Sequence, residues 1–314
     1  MRFIVQRLFS ACGTLFLVSI AAFTLPELAR GDAAAIIAGD DATPDVVERV
    51  RHNLGLDRPL FSRFFGFIAD VGRGDLGVSI RVKPGATVTS MIADALPATA
   101  SMLVVGLLFA CLMALPLGVA AALRPGSVID RMVSVFAALS QAVPPFVLAL
   151  VLILWLSLGR GWFPAVGYVP LTDDVTQWAS HIVLPALALA AAAGAELTRQ
   201  TRGALVDVFE QDYIRTAIAK GLSKPVVIGR HALKGASSPI ITVLGLQVAR
   251  LIGGSIVVER IFGIAGLGSL AFDAVLKRDF VLIRGVVLVT AVLVIVVNLI
   301  VDVVDDRLNP KARA

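Results

Sequence analysis

The sequence predicts an all-α integral membrane protein with six transmembrane helices. A small extracytoplasmic domain is expected between the first and second helices, and a cytoplasmic hairpin between the fourth and fifth. Of the 314 residues, 57% are hydrophobic and only 16% are charged, a balance that a water-soluble domain could not hold without exposing large apolar patches. Apolar runs also recur at about the length that crosses a bilayer, and basic residues collect in alternate connections between them.

Six runs come close to the roughly 20 apolar residues that a membrane-spanning helix needs. Three contain no charged residue at all: 8–25, 99–123 and 132–158. The fourth run, 178–197, is Ala-rich and shorter, with Pro185 inside it and Glu196 near one end, whereas 237–258 and 285–301 contain polar residues typical of helices that face protein. The first run resembles a signal peptide in position, but no small-residue cleavage pattern follows it, so we expect it to be retained.

Basic residues set the expected orientation, because short cytoplasmic loops retain lysine and arginine. With the N-terminus inside, the cytoplasmic segments would include the basic stretches 124–131, 198–236 and 307–313. We therefore expect a multi-pass protein of the bacterial plasma (inner) membrane, surrounded by lipid, with both termini cytoplasmic. The formal net charge of +5 then reflects orientation, and no nucleic-acid partner is expected.

This topology divides the chain into three parts. Residues 1–29 form the N-terminal tail and the first helix, 30–98 the extracytoplasmic loop domain, and 99–314 the core of the remaining helices, with a long cytoplasmic loop at about 198–236. The loop domain is expected to be ordered, because residues typical of helix starts and stops occur within it. Its length also exempts it from the charge rule for orientation.

Two short helices are predicted in the loop domain. Thr43 and Pro44 are typical of the N-cap and first position of a helix that ends near Gly55, and a second helix follows Pro59. Apolar residues recur at helical spacing in the second: Leu60, Phe61, Phe64, Phe65 and Ile68. They suit the core of a small outer cap or a helix lying in the membrane interface, and we favour the cap.

Motifs for catalysis or ATP binding do not occur in the sequence. There is no GxxxxGK[ST] loop, no HExxH pair and no GxSxG elbow. The three histidines and two cysteines are not spaced as metal ligands. We therefore predict a chain that is not an enzyme, with no catalytic residues, no metal site and no bound cofactor.

The loop between the fourth and fifth helices is longer than two adjacent helices need. Its text from Glu210, EQDYIRTAIAKGLSKPVVIGRHALKGA, predicts a helix to Lys220, a turn at Gly221, a second helix capped by Ser223 and a stop at Gly235. An apolar stripe follows this hairpin: Tyr213, Ile214, Ala217, Ile218 and Leu222. A solvated basic hairpin is the alternative, but the stripe favours a docking surface for a cytoplasmic partner.

The spacing Ala217-x3-Gly221, with His231-Ala232-Leu233 ten residues later, resembles the coupling loop of ABC importer permeases. Within that family it resembles the dipeptide, oligopeptide and nickel branch, and there the B-type subunit of dipeptide permeases. The general importer pattern has Glu-Ala-Ala before the glycine, whereas this chain has Arg215-Thr216-Ala217, as is typical of the peptide branch. Further stretches agree in order: LGLDRPL from Leu54, GRGDLGVS from Gly72, GWFPAVGY from Gly161, DYIRTAIAKGL from Asp212 and VVERIFGIAGLGSL from Val257.

The resemblance implies a permease subunit that forms half of an ATP-driven translocation pathway for short peptides. It implies a second homologous permease subunit, two ATP-binding subunits that hold ATP and Mg, and an extracytoplasmic solute-binding protein. Nickel, glutathione or another small solute are alternatives within the branch. A self-sufficient secondary transporter is a further alternative, which the uncharged helices disfavour.

The same resemblance assigns six residues to coupling with an ATP-binding subunit: Arg215, Thr216, Ala217, Lys220, Gly221 and Leu222. Ala217 and Gly221 are expected to be small because a partner groove comes close to them. The segment after the fifth helix departs from the family at Ala265, where proline is usual, so its turn geometry stays open. Charged residues near this end are expected to form salt pairs or to contact the binding protein: Glu259, Arg260, Asp273 and Asp279.

Polar and helix-breaking residues within the spans are candidates for lining or gating the pathway: Gln141, Pro144, Pro145, Gln247, Arg250, Gly253 and Gly254. A cation at the centre of a helix costs at least about 2.5 kcal/mol in lipid, so Arg250 is expected to point into the bundle. The two glycines allow close approach or bending, and the two prolines a kink. A structural ion pair and a static kink are the alternative interpretations.

Overall fold

The computed structural model describes residues 2–28, 34–35, 43–53 and 55–308. Regular structure in these ranges is helical, apart from one isolated antiparallel bridge between Val78 and Thr87. The all-α prediction is therefore confirmed for the described residues. Most of 30–42, the first part of the predicted loop domain, lies outside them. The chain divides into two compact units, Met1–Leu96 with Ser269–Ile295 and Pro97–Gly268 with Val296–Ala314.

The helices follow one another in a single chain order, with π-helical turns at Ile153–Leu158 and Val227–Ala232. We number them as α1 Arg2–Leu28, α2 Pro44–Asn53, α3 Leu60–Gly72, α4 Val88–Ala122, α5 Val128–Ala142, α6 Pro145–Leu152, α7 Val175–Phe209, α8 Asp212–Ala219, α9 Lys224–Val226, α10 Leu233–Gly235, α11 Ser237–Ile261, α12 Leu267–Leu276 and α13 Phe280–Leu308. Both short helices predicted in the loop domain, now α2 and α3, are present.

Four of these helices are long and apolar enough to cross a membrane: α4, α7, α11 and α13. The pair Val128–Ala142 and Pro145–Leu158 makes a fifth span if the two bent halves are counted together. The apolar part of α1 within the described residues, Phe9–Thr24, is shorter than a full span. Four or five of the six predicted spans are therefore recovered, and the first stays a prediction.

The predicted span 132–158 is two helices instead of one kinked helix. α5 ends at Ala142, α6 begins at Pro145, and the two parts are bent by 95°. Consecutive prolines explain a break of this size, because neither has an N–H group to donate to the preceding turn and their rings clash with it. Pro144 stands outside both helices with φ −59° and ψ 140°. The kink expected within one helix is therefore a break between two helices that run in different directions.

Small residues let α7 pack closely against α4 in the second unit. A Cβ added to Gly194 would lie 3.2 Å from the Cα and carbonyl oxygen of Ala110, and one added to Gly118 would lie 2.7 Å from the Cβ of Thr201. Backbones can approach this closely only where side chains are small. The alanine-rich sequence of the fourth predicted span is therefore a packing surface, and α7 continues unbroken through Pro185.

The α3 helix buries only part of its aromatic stripe. Phe64 is 8% exposed and packs edge-on against Phe23 of α1, with ring centroids 5.5 Å apart. Phe61 and Phe65 are 77% and 64% exposed. The interpretation of the whole stripe as the core of a cap is therefore wrong for Phe61 and Phe65, whose rings stay largely exposed in this chain.

Asp279 fastens the loop 79–82 to the start of α13. Its side chain is fully buried. Its Oδ2 accepts hydrogen bonds from Ser79 Oγ at 2.6 Å, from Arg81 N at 2.9 Å and from two further backbone N–H groups of the loop. Its Oδ1 accepts from Leu282 N at 3.2 Å and so caps the helix. The expected salt pairing is wrong for Asp279, because its partners among the described residues are amides and a hydroxyl.

Replacing Asp279 with asparagine is expected to destabilise this first unit by about 2–3 kcal/mol, since charge-assisted hydrogen bonds are lost and an NH2 group faces N–H donors. Burial by itself raises the pKa of the Asp279 carboxyl. The hydrogen bonds from Ser79 and the backbone N–H groups lower it by more than burial raises it, so the pKa lies below its ordinary value. The stabilisation is therefore present above about pH 4 and is lost as the pH falls through the folded-state pKa.

Thermal unfolding of the purified protein in detergent, measured from pH 7 down to pH 3, checks this prediction. The difference in melting temperature between wild type and Asp279→Asn should be largest near neutral pH and should shrink below about pH 4. Asp57, exposed in the same unit, provides the matched control Asp57→Asn, which should melt like wild type throughout. Equal melting of the two variants at pH 7 would contradict the assignment.

Candidate functional site

The predicted hairpin at 212–235 is present, and Gly221 makes its turn. α8 ends at Ala219, and Gly221 follows with φ +78°. This left-handed conformation is unstrained for glycine and costs other residues about 1 kcal/mol. A Cβ on Gly221 would meet nothing within 4 Å, so the turn itself, and not crowding by this chain, accounts for the glycine.

The hairpin has a hydrophobic core of its own. Ile214 and Ala217 are 0% and 7% exposed and lie in one buried cluster with Val227, Ala232 and Leu205 of α7. Ala217 was predicted to be small because a partner comes close to it. That reason is wrong, because its methyl group faces the chain's own core. Internal packing holds α8 in a fixed position against α7.

The other predicted coupling residues lie on the outside of the hairpin. Arg215, Thr216, Lys220, Gly221 and Leu222 are all exposed. Large apolar side chains accompany them: Tyr213 is 48%, Ile218 60% and Leu222 40% exposed. We call Tyr213, Ile218 and Leu222 the hairpin face. The predicted stripe is thus divided, with one part forming the core and the other open to solvent.

Two details of the hairpin differ from the prediction or were missed by it. The Ser223 side chain makes no capping hydrogen bond; its carbonyl oxygen instead accepts from Val226 N and Val227 N, both at 3.0 Å. Gly235 was predicted only as a helix stop. A Cβ at Gly235 would collide with the hydroxyl of Tyr213, so the glycine makes room for that ring. Only the tertiary structure brings these two residues together.

Five of the seven predicted pathway residues line one cavity of about 290 Å³: Gln141, Pro145, Gln247, Arg250 and Gly254. The break between α5 and α6 forms one wall of this cavity, and α7 and α11 form the others. Pro144 and Gly253 are not among its lining residues. The α7 residues Leu189, Ala192, Ala193 and Glu196 complete the lining together with Leu251 of α11. We call this space the α7–α11 cavity.

Glu196 is the charged residue of the cavity that the sequence analysis did not select as a site residue. Its Oε2 accepts a hydrogen bond from Gln141 Nε2 at 2.7 Å and forms an ion pair with Arg199 one turn along α7. The signal that could have identified it is a carboxylate near the end of an otherwise uncharged run, which is costly in lipid unless it faces protein or a cavity.

The two side-chain amides and the guanidinium of the cavity differ in their hydrogen-bond and ion-pair partners. Gln141 donates to Glu196. Gln247 is only 3% exposed, and its Nε2 has no hydrogen-bond partner in the part of the chain that the structure describes. Arg250 is exposed and makes no direct ion pair with any described residue. Within the described residues, the Gln247 amide therefore lines this cavity without a hydrogen-bond partner, and the Arg250 guanidinium interacts with Glu196 only electrostatically, without a direct ion pair.

The glycines of α11 are not required for packing within this chain. A Cβ at Gly253 would meet nothing within 4 Å, and one at Gly254 would make only an ordinary contact of 3.6 Å with Leu189. α11 also runs from Ser237 to Ile261 without interruption. Neither a close helix approach nor a bend at these positions is present in the described chain, so their role in gating stays a prediction.

The turn after α11 closes with alanine in the place where the family usually has proline. Glu259 is fully buried and accepts a hydrogen bond from Thr99 Oγ1 at 2.8 Å, and that oxygen accepts from Leu267 N at 2.8 Å. A Cβ at Gly266 would lie 2.5 Å from Thr99 Oγ1. The glycine therefore lets the turn close over Thr99, and Ala265 is accommodated beside it.

A partly buried ion pair joins α5 to α7 in the second unit. Arg202 Nη2 lies 2.7 Å from Asp130 Oδ2, and Arg202 Nε bonds the other carboxylate oxygen. Asp130 is 4% exposed and also accepts from Gly126 N at 2.8 Å. From the sequence, Arg202 was only one of the basic residues of the predicted cytoplasmic segment 198–236. Among the described residues, no three His, Cys, Asp or Glu side chains come close enough to hold a metal ion.

Comparison with known proteins assigns this architecture to a family. Residues 114–314 match the binding-protein-dependent transport system inner membrane component, and residues 1–103 match the N-terminal region of the membrane component of the same systems. The chain belongs to this family. It is accordingly a permease subunit of an ABC importer, a multi-pass inner-membrane protein that works in a complex with other subunits.

Curated relatives of the permease align over nearly their full length. The probable peptide ABC transporter permease protein y4tP of Sinorhizobium fredii is 36% identical over 311 residues, which cover 99% of each chain. The glutathione transport system permease protein GsiC of Escherichia coli K12 is 36% identical over 314 residues, covering 100% of this chain and 99% of its own. The predicted branch of the family is therefore confirmed.

Solved structures agree with the permease fold. The inward-facing methionine ABC transporter MetNI matches with a TM-score of 0.58 at 17% identity, covering 70% of this chain and 96% of that chain. A second crystal form of MetNI gives a TM-score of 0.55 at 19% identity with the same coverage. At this identity the likeness establishes the fold alone.

Proposed function

We propose that this permease subunit forms half of an ATP-driven import pathway for short peptides. It pairs with a second homologous permease subunit, and two ATP-binding subunits supply the energy. An extracytoplasmic solute-binding protein delivers the peptide. The names of the relatives support the peptide class, since one is described as a peptide permease and another as a glutathione permease, and glutathione is itself a small peptide.

The hairpin face is the observation that carries the coupling role. Tyr213, Ile218 and Leu222 are exposed on a hairpin whose other side is packed into α7. Such a surface transmits force well, because a partner that grips the exposed residues moves α7 with them as one packed body. Ile218 and Leu222 supply the apolar anchors, and Arg215 and Lys220 supply the polar rim that interfaces usually have.

The proposed topology places the hairpin and both termini in the cytoplasm and uses α1 as the remaining span. The basic residues of the hairpin and of the 124–131 connection support this orientation. The chain itself binds no cofactor or metal in this proposal, and ATP and Mg belong to the ATP-binding subunits. Pro144 and Gly253 retain their proposed gating role although they lie outside the cavity lining.

Attachment of a photocrosslinker to residue 220 tests the proposed function. We expect Lys220→Cys, in a chain whose Cys12 and Cys111 are replaced, to form an adduct with an ATP-binding subunit in inverted membrane vesicles. Lys277→Cys, an exposed lysine beyond α12, is the matched control and should form none. ATP-driven peptide transport by the same complex without any adduct from residue 220 would contradict coupling through this hairpin, and transport without an ATP-binding subunit would identify a secondary transporter.

The transported solute is identified by the outer binding protein of the same system. Mass spectrometry of the solute retained by that protein should give a short peptide. Retention of nickel or of a solute that is not a peptide would contradict the proposed substrate class and leave the permease assignment intact.

A further inference from the structure

The amide of Gln247 points to a ligand in the α7–α11 cavity. Its side chain is 3% exposed, lines the cavity and leaves Nε2 without a hydrogen-bond partner among the described residues. A buried donor left unsatisfied costs about 1–3 kcal/mol. Folding has nevertheless placed it here, and an acceptor oxygen of a bound solute would satisfy it.

Opposite charges from two helices line the same cavity. Arg250 of α11 is without an ion-pair partner in the described chain, and Glu196 of α7 presents a carboxylate. The hydrogen bonds that Gln141 and Arg199 donate to Glu196 both end on Oε2. A carboxylate accepts about four hydrogen bonds, so Glu196 has capacity for an ammonium group. A guanidinium in turn binds a carboxylate through two parallel N–H groups.

We infer that the α7–α11 cavity is a binding site for a small zwitterionic solute, in which Arg250 and Gln247 bind the free carboxylate and Glu196 binds the free ammonium. The inference rests on the proposed function and assigns a substrate class to it. A volume of about 290 Å³ is close to the lower limit of known ligand sites, which run from about 300 to 1,000 Å³. The space suits a molecule of dipeptide size.

Recognition of both ends has a consequence for selectivity. A peptide whose carboxylate is amidated offers Arg250 no anionic group to bind, and one whose amine is acetylated offers Glu196 no ammonium group. Sites built to pair buried polar groups reject ligands that leave those groups unpaired. Binding must still be weak enough for release to the far side, as in other conduction pathways.

A cysteine reporter measures binding at this site separately from transport. Ala192 is half-buried and lines the cavity, so Ala192→Cys in the complete transporter complex, with Cys12 and Cys111 replaced and the outer binding protein left out, reports occupancy through its rate of alkylation. The probes are Ala-Ala, N-acetyl-Ala-Ala and Ala-Ala amide. For a Kd of about 1 mM, Ala-Ala at about 10 mM should slow alkylation about tenfold.

Each of the two charge variants should no longer distinguish a free from a blocked group at one end of the peptide. In the Arg250→Gln reporter, Ala-Ala and Ala-Ala amide should protect the cysteine from alkylation equally poorly. In the Glu196→Gln reporter, Ala-Ala and N-acetyl-Ala-Ala should protect it equally poorly. Arg250→Lys, which keeps the charge, should recover part of the protection. Arg131→Gln, an exposed arginine on α5 outside the cavity lining, is the matched control and should protect like the unsubstituted reporter.

Several results would overturn the inference. One is the absence of protection by Ala-Ala in a complex that carries out ATP-driven peptide uptake, which leaves the proposed function standing. Equal protection by all three probes, or unchanged protection in both charge variants, would also overturn it. Loss of the proposed function is recognised separately, because the complex would then show no ATP-driven uptake of any peptide.

Discussion

Replacing Ile218 with aspartate is expected to lower ATP-driven uptake by at least about tenfold while the protein remains folded. Ile218 is 60% exposed and is the most exposed residue of the hairpin face, so the new carboxylate costs little in the isolated chain. At an interface with an ATP-binding subunit it would be buried opposite apolar groups, and loss of an interface anchor of this kind can cost about 2 kcal/mol, which is about thirtyfold in affinity.

Uptake and subunit assembly should be measured together, at matched amounts of protein in the membrane. Co-purification of the ATP-binding subunit should fall in parallel with uptake, and the melting temperature of the purified permease should stay near that of wild type. Val175→Asp is the matched control, because Val175 is equally exposed, at 64%, but begins α7 at a distance in sequence from the hairpin. Equal uptake by both variants would remove the hairpin face from the coupling interface.

Loss of the Asp130–Arg202 ion pair is expected to be the largest single effect on stability. Breaking a buried pair from one side costs about 3–5 kcal/mol, because the remaining charge is left without its partner. Arg202 has 33% of its side chain exposed and Asp130 only 6%. We therefore expect about 3 kcal/mol for Asp130→Ala, at the low end of this range, since water partly solvates the arginine.

A double-mutant cycle separates the ion pair from other effects at the site. Asp130→Ala and Arg202→Met together should cost about 2 kcal/mol less than the sum of the two single variants, because no charge is left unpaired. Unfolding in detergent by titration with SDS gives the free energies. The exposed pair Arg73–Asp70 is the matched control, and its coupling should lie within about 0.5 kcal/mol of zero. Full additivity at Asp130 and Arg202 would contradict a direct interaction.

The α7 helix connects the elements that these predictions concern. It carries Glu196 in the cavity and Arg202 in the ion pair, and near its end it packs on the hairpin core through Leu205. Movement of the hairpin would therefore be transmitted directly to a wall of the cavity. A ligand that binds one arrangement of this wall better than another would in turn bias the position of the hairpin.

The elements that depend on local interactions could be predicted from the sequence. Length and hydropathy located α4, α7, α11 and α13 because a lipid environment demands about 20 apolar residues regardless of the neighbours. The hairpin turn was predicted at Gly221 because a left-handed residue after a helix is a property of the backbone alone. The same holds for α2 and α3, whose starts depend on nearby proline residues.

The cavity was predicted only in part, because sequence identifies costly residues but not their partners. Gln247 and Arg250 were selected since polar groups in a span must avoid lipid. Glu196 was passed over as a site residue, although it completes the charge pattern, because its position beside Gln141 depends on the 95° bend of a different helix. Periodicity along one segment carries no information about such a bend between two others.

The sequence by itself determined that lipid surrounds the protein, how many long apolar runs it has and where the hairpin lies. These features follow from composition and from the conformational limits of single residues. Only the tertiary structure decided which side of the hairpin is free. It turned Ala217 inward and Ile218 outward because α8 packs against α7, whose course is set by contacts with α4 and α5. Contacts with helices that are distant in sequence thus give two adjacent side chains opposite roles, one in the core and one on the surface.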